Sequence, residues 1–486
     1  MYNRGLASHH RAALEVTVAE NPSDDSRLDD DLVFTSDMPQ MPPEAKGFSR
    51  TDTGNAERLV ALHGEDVRYV FPWEKWLLWD GRRWKRDDEG AILQRAKLTA
   101  RYIARDAIYQ PEDELRKGLM EWSLKSESMV RRKALVDLAR SEPGIPVDPS
   151  DLDNDLMSLT VNNGTLLLET GELVEHDRTI LSTKLVPVDW IPRSKCPLWI
   201  KFLRRITDGD EDLMAFLKRA VGYSLTGQVK EQCFFTLYGR GANGKSVFVE
   251  TLSKILGDYS TVADFSTFMV RKSEGPRNDI ADLQGARFVS AMETDEGQRL
   301  SEAIIKKLTG DDTIKVRFLH KEHFEFVPTF KVWLAANHKP VITGTDHAIW
   351  RRVRLIPFTV TIPDKEQDKD LPAKLAEELP GILNWAVEGC LEWQRDGLGE
   401  SEAVEAATES YRASEDIIGA FISDRCTVES GVREHFSALY AAYRDWASAN
   451  SETPISNRAF ALRLTERGLP GHKDAEGRWR IGVRLA

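Results

Sequence analysis

Cysteine is scarce in this chain of 486 residues: the four present (Cys196, Cys233, Cys390, Cys426) stand dozens of positions apart. With no CxxC pair, neither a disulfide framework nor a zinc ribbon is indicated, and the four read as ordinary core thiols. Long apolar runs are missing too. None approaches the roughly 18 to 20 residues of a membrane span, and Met1 to Asn21 lacks the apolar centre of a signal peptide, so no membrane contact and a cytoplasmic location are expected, the host's if the chain is phage-encoded. Positive charge is in deficit, 66 Lys and Arg against 78 Asp and Glu for a net charge of -12, which argues against nucleic-acid binding by the whole surface. The 41% hydrophobic content excludes wholesale disorder and collagen-like classes, and the length suggests several folding units.

The sign of the whole chain hides an asymmetry. Between Val229 and Arg354 there are 19 basic and 16 acidic residues, so the basic function is expected centrally. Residues 1–48, with DDSRLDDD and MPQMPPE, are too poor in aromatics to fold alone and read as a disordered tail. From there to 228 an α+β region is expected. Trp76-Leu-Leu-Trp79 and Arg82-Arg-Trp84 flank Asp80-Gly81 as a hairpin with a two-residue turn, whose tryptophans suit either a small core or base stacking. Leu159 to Leu173, punctuated by Asn163-Gly164 and Thr170-Gly171, reads as a β-meander, and Trp199 to Gly222 as one or two helices.

Cys233-Phe-Phe-Thr-Leu-Tyr238 is a strand pattern that runs into Gly239-Arg-Gly-Ala-Asn-Gly-Lys-Ser246, a GxxxxGK[ST] loop, and then into a helical pattern ending at Gly257. In that setting Gly239, Gly241, Ala242, Asn243 and Gly244, with the amides up to Val247, cradle phosphates. Lys245 reaches the β- and γ-phosphates of ATP, and the Ser246 hydroxyl holds Mg²⁺. Arg287 to Met292 is a buried-strand pattern ending in Glu293-Thr-Asp-Glu296. A carboxylate there suits a hydrated Mg²⁺ and an attacking water, with Glu293 first and Asp295 and Glu296 as alternatives. Phe330 to Ala336 is another strand, closed by Asn337, whose amide suits sensing the γ-phosphate. Trp350 to Phe358 is a basic strand edge that suits an arginine reaching a neighbouring subunit's phosphate, Arg352 favoured over Arg351.

GRGANGKS, ETDEG, KKLTGDDTIKVRFLHKEHFEF, FKVWLAAN and IWRRVRLIPF resemble, in order and spacing, the motifs of superfamily 3 helicases, most closely the phage/plasmid primase-helicase group that includes satellite-phage and poxvirus replication proteins. The likeness extends from about Glu57 to Leu398. It implies an α/β, AAA+-like P-loop NTPase core over 229–400, assembled as a homo-hexameric ring, with Glu293 as metal and water carboxylate, Asn337 as sensor and Arg351-Arg352 as the arginine-finger region. Thr313 to Phe326 alternates around a basic tip and reads as a hairpin projecting into the ring channel. Lys315, Arg317, His320 and Lys321 would there track single-stranded DNA by its phosphates. The resembling helicases carry Lys-His at this tip where this chain has His-Lys.

Residues 414–486 resemble a winged helix: helical patterns around Ile417–Ile422 and Phe436–Trp446, then Ser456 capping a third helix, then a hairpin with Trp479 to Arg484. Arg458, Arg463, Arg467, Lys473, Arg478 and Arg480 are candidate phosphate contacts, and protein docking is the alternative use. The expectation is an ATP-dependent DNA helicase of phage or mobile-element replication, acting on single-stranded and forked DNA. The alternatives are the helicase part of a primase-helicase and an NTP-switched origin-binding factor that does not unwind. The 48 leading residues leave no room for a polymerising domain, so a separate primase or polymerase is the expected partner.

Overall fold

The computed structural model describes residues 47–271, 277–293, 297–317, 323–344, 347–450 and 452–486. The Thr51 hydroxyl caps α1 (Asp52–His63) by accepting from the Gly54 amide. A three-stranded antiparallel sheet follows, β1 (Val67–Val70), β2 (Lys75–Trp79) and β3 (Trp84–Arg86). Trp79 pairs with Trp84, so the connection is Asp80–Arg83 and not a two-residue turn. The Asp80 carboxylate accepts from the Arg82 and Arg83 amides, both at 2.9 Å, which builds a wider turn on the aspartate side chain. Trp76 and Trp84 are buried, Trp76 against α2 (Ala91–Ile108) and α4 (Met129–Ala139), so these two are core; α3 (Asp113–Ser126) connects the helices.

The meander forms as β4 (Ser158–Val161), β5 (Gly164–Leu167) and β6 (Glu172–Val174), followed by α5 (Pro197–Ile206) and α6 (Glu211–Leu225). The central unit runs β7 (Phe234–Tyr238), α7 (Lys245–Leu256), β8 (Ser260–Val262), α8 (Asn278–Ala281), β9 (Phe288–Met292), α9 (Glu302–Leu308), β10 (Ile314–Arg317), β11 (His323–Phe326), β12 (Lys331–Ala336), α10 (His347–Trp350) and β13 (Val353–Pro357). Its sheet is wholly parallel, with helices on both faces, in the order β13-β7-β12-β9-β8. The strands read as apolar runs because both faces are covered. Alternation sends Phe235, Trp333 and Ala335 into one core and Phe234, Val332 and Leu334 into the other.

The first of these cores also contains Leu159, Leu166, Trp199, Phe216 and Trp393. It therefore crosses the 228/229 boundary expected from sequence, because the Phe235/Trp333 face needs a cover and α5, α6 and a later helix supply it. Arg83 pairs with Asp258 at the end of α7, and the same carboxylate accepts from the Leu185 amide at 3.0 Å. At the same end of the sheet, where the strands begin, two buried cations tie strands to the C-terminus of α6. Arg287, just before β9, donates to the Leu225 carbonyl at 2.8 Å and the Asp155 carbonyl at 3.0 Å. Lys331, opening β12, donates to the carbonyls of Thr226 at 2.5 Å and Gln228 at 3.0 Å.

The chain continues through α11 (Leu371–Glu377), α12 (Leu379–Asp396), α13 (Glu402–Glu415), α14 (Ile417–Arg425), β14 (Cys426–His435), α15 (Phe436–Ala449), α16 (Asn457–Glu466), β15 (Gly471–Asp474) and β16 (Gly477–Leu485). The last three helices and the β14-β16-β15 sheet enclose Phe421, Tyr443, Phe460 and Val483. Ser456 accepts from the Ala459 amide at 3.3 Å and caps α16. All four cysteines are free thiols, and among the described residues no helix is long and apolar enough to cross a membrane.

Candidate nucleotide-binding site

The loop Gly239–Gly244 leaves the tip of β7 and enters α7 at Lys245. Gly241, Ala242 and Gly244 have positive φ, a backbone that turns successive amides inward. Gly239 has a different constraint: a Cβ there would lie 2.0 Å from the Phe358 carbonyl oxygen. The first amides of α7 have no intrahelical acceptor, so the loop presents N–H groups and the positive end of a helix dipole to one spot. The Ser246 side chain is exposed beside them, while Asn243 is buried and donates to the Phe358 carbonyl at 3.1 Å, tying the loop to the end of β13.

Lys245 is buried, with its ammonium donating to the Gly239 carbonyl (2.5 Å), the Asn243 Oδ1 (3.2 Å) and the Asn337 Oδ1 (3.1 Å). Burial lowers its pKa and the Glu293 carboxylate partly opposes that shift. Glu293 and Asn337 sit just past the C-terminal tips of the neighbouring strands β9 and β12. Glu293 Oε2 accepts from the Asn337 amide at 2.6 Å and the His338 amide at 2.7 Å; neither bond uses Oε1. Three groups far apart in sequence thus converge where a phosphate chain would end: a cation, a carboxylate and an amide. That combination can bind a triphosphate, orient water and accept a proton.

Asp295 and Glu296 lie outside the described residues, as do His320 and Lys321. Lys315 and Arg317 are exposed on β10, opposite the buried Ile314 and Val316, and Arg317 faces His323 across the hairpin. His323 therefore joins this basic face; the periodicity placed it on the strand but drew no attention to it.

Arg352, the favoured arginine, does not face outward. It is buried in its own chain, donating from Nε to the Thr309 hydroxyl at 3.1 Å and from Nη1 to the Ala348 carbonyl at 2.8 Å. Arg351 is the exposed one. Both precede β13 and lie a strand length, about 17 Å, from the tips that carry Glu293 and Asn337, too far to serve their own chain's site. Three of the C-terminal arginines are likewise committed inside the chain. Arg463 donates to the Thr343 carbonyl, Arg467 to Asp416, and Arg480 to the Thr465 hydroxyl and the Leu469 and Ala461 carbonyls. Arg458, Lys473 and Arg478 remain exposed.

The segment after Asn337 leads from the site to the C-terminal helices. Lys339 lies over the rings of Tyr238 (5.0 Å) and Tyr411 (5.2 Å), the Tyr411 hydroxyl donates to the Pro340 carbonyl, and Glu415 accepts from the Ile342 amide at 3.1 Å. Burial pushes the Lys339 pKa down and the Glu415 pKa up. Sequence gave no signal for this strap, since its partners are 70 or more positions away. A cavity of about 1370 Å³ opens from the loop between α5 and the segment 362–371.

Residues 56–208 match a family described as D5 N terminal like, and residues 237–352 match a family of unknown function, DUF5906. A protein of Acanthamoeba polyphaga mimivirus named as a proposed helicase is 28% identical over 290 residues, which are 55% of this chain and 30% of that protein. A protein of African swine fever virus named as a proposed primase is 27% identical over 348 residues, 65% of this chain and 35% of that protein. The chain thus spans about a third of the length of these relatives. The solved apo structure of the NrS-1 C-terminal region is similar at a TM-score of 0.47 and 12% identity, over 86% of this chain and 96% of that one.

Proposed function

We propose that this chain, which belongs to the phage and viral primase-helicase family, is an ATP-hydrolysing DNA helicase of superfamily 3 type. The observation that carries the reading is the convergence of Lys245, Glu293 and Asn337 on the phosphate loop. In this reading residues 229–400 are an AAA+-like ATPase core working in a homo-hexameric ring, 49–228 the family's N-terminal region and 414–486 a winged helix.

The loop amides and Lys245 hold the β- and γ-phosphates, and Asn337 reports the γ-phosphate. Glu293 is held by two backbone amides, and its carboxylate orients the attacking water and accepts its proton. The exposed Ser246 hydroxyl and the Glu293 carboxylate are an oxygen donor set that suits Mg²⁺, which supplies charge neutralisation on the phosphates when bound. Arg351 takes the role of the arginine that reaches the next subunit's site, in place of Arg352. Lys315, Arg317 and His323 form the face that follows single-stranded DNA by its phosphates.

The test is ATP turnover and strand displacement on forked DNA. Lys245→Ala is expected to lower turnover by about 10²- to 10³-fold and to abolish displacement. Displacement that persists in this variant rejects the mechanism. The strap from Asn337 to α13 and α16 favours a second reading, in which nucleotide state moves the C-terminal part and no strand is unwound. ATP turnover without displacement supports that reading.

A further inference from the structure

We propose that the cavity beyond the phosphate loop is a nucleobase pocket that takes adenine, with Asn384 reading the exocyclic amine. This rests on the phosphate-site reading above and adds what lies at the other end of the nucleotide. Two elements leave the loop side by side. Phe202 and Ile206 of α5 press on Gly244, where a Cβ would meet Ile206 at 2.7 Å and Phe202 at 2.9 Å. On the other side the Ile362 amide donates to the Ala242 carbonyl at 2.7 Å. Leu198 stands one helical turn before Phe202, about 6 Å farther from the loop, a distance on the scale of a ribose. Leu198, Ile362 and Leu371 line the cavity there and give it apolar walls for a flat ring.

Among the polar groups of that wall is Asn384, on α12 and only 8% exposed. Its Nδ2 faces the Ser194 carbonyl oxygen at 3.4 Å. Flipping the amide would set two oxygens against each other, so Oδ1 is the end available to a ligand. An acceptor at this place suits the N6 amine of adenine and opposes the O6 acceptor of guanine.

The experiment is equilibrium binding of ADP, GDP and inorganic tripolyphosphate to the full chain. ADP is expected to bind about tenfold more tightly than GDP, the ratio one good hydrogen bond supplies. Asn384→Leu, which removes the acceptor at similar volume, is expected to bring the two within about twofold. Equal affinity in the natural chain, or an unchanged ratio in Asn384→Leu, overturns the pocket while leaving the phosphate site standing. Tripolyphosphate that fails to bind, or that binds Lys245→Ala equally well, overturns the phosphate-site reading and the pocket with it.

Discussion

Replacing Lys331 with methionine tests how the central sheet is anchored. The amine is fully buried, its hydrogen bonds go to the Thr226 and Gln228 carbonyls, and it lies 4.5 Å from the centre of the Tyr223 ring. Burial, with the charge of Arg287 adding to it, pushes its pKa well below the ordinary lysine value. Below the folded-state pKa both the folded and the unfolded chain hold the proton, so Lys331 adds no pH slope. Between that value and about 10.5 the unfolded chain binds one proton more than the folded one, and stability rises with pH. The slope is about 1.4 kcal/mol per pH unit inside that window. Methionine removes it. At neutral pH the variant leaves the two carbonyls without their donor, about 1 to 3 kcal/mol each, and gains from no longer desolvating the lysine head group. The net there is a small difference of larger opposing terms, whereas the slope is diagnostic. Urea denaturation of both chains between about pH 7 and about pH 10 should show the natural chain gaining on Lys331→Met as pH rises. A stability difference that stays constant over that range refutes the reasoning.

Glu293→Gln keeps an oxygen to accept from the Asn337 and His338 amides, so the fold should hold while ATP turnover drops by about 10²- to 10⁴-fold, measured by phosphate release. Arg352→Ala should destabilise by about 1 to 3 kcal/mol, because the Thr309 hydroxyl and the Ala348 carbonyl lose a donor. Arg351→Ala should stay within about 0.5 kcal/mol in a thermal melt yet lower turnover in the assembled form. A natural melt with lost turnover in Arg352→Ala would reverse the two assignments. Gly239→Ala should lose ADP binding, since the added Cβ meets the Phe358 carbonyl at 2.0 Å and must displace the loop or β13.

The phosphate loop and the two polar strand ends were legible because each is a local pattern. An apolar run that stops at Glu293 or Asn337 names its own tip, and the glycines before Lys245 need the strand-turn-helix setting they are found in. Which arginine faces outward was not legible. Arg351 and Arg352 are neighbours of one type, and the choice is made by the Thr309 hydroxyl, 43 positions away. The same limit applies to Arg463, Arg467 and Arg480: a run of charges does not show where its acceptors lie. The turn at Asp80 came out wider than expected because its side chain, and not the backbone pair alone, closes it. The strap from Lys339 to Thr343 depends on Tyr411, Glu415 and Arg463, so only the folded chain reveals it.

The core shared between Leu159–Leu225 and the central strands constrains how such a chain could be shuffled. A cassette cut at 228/229 would carry away the roof of its own sheet, baring Phe235 and Trp333 and freeing the carbonyls that Arg287 and Lys331 clasp. Recombination that respects this seam must transplant β4 to β6, α5, α6 and everything from β7 to α13 as one inheritance, leaving the tryptophan hairpin and its helices as exchangeable fittings.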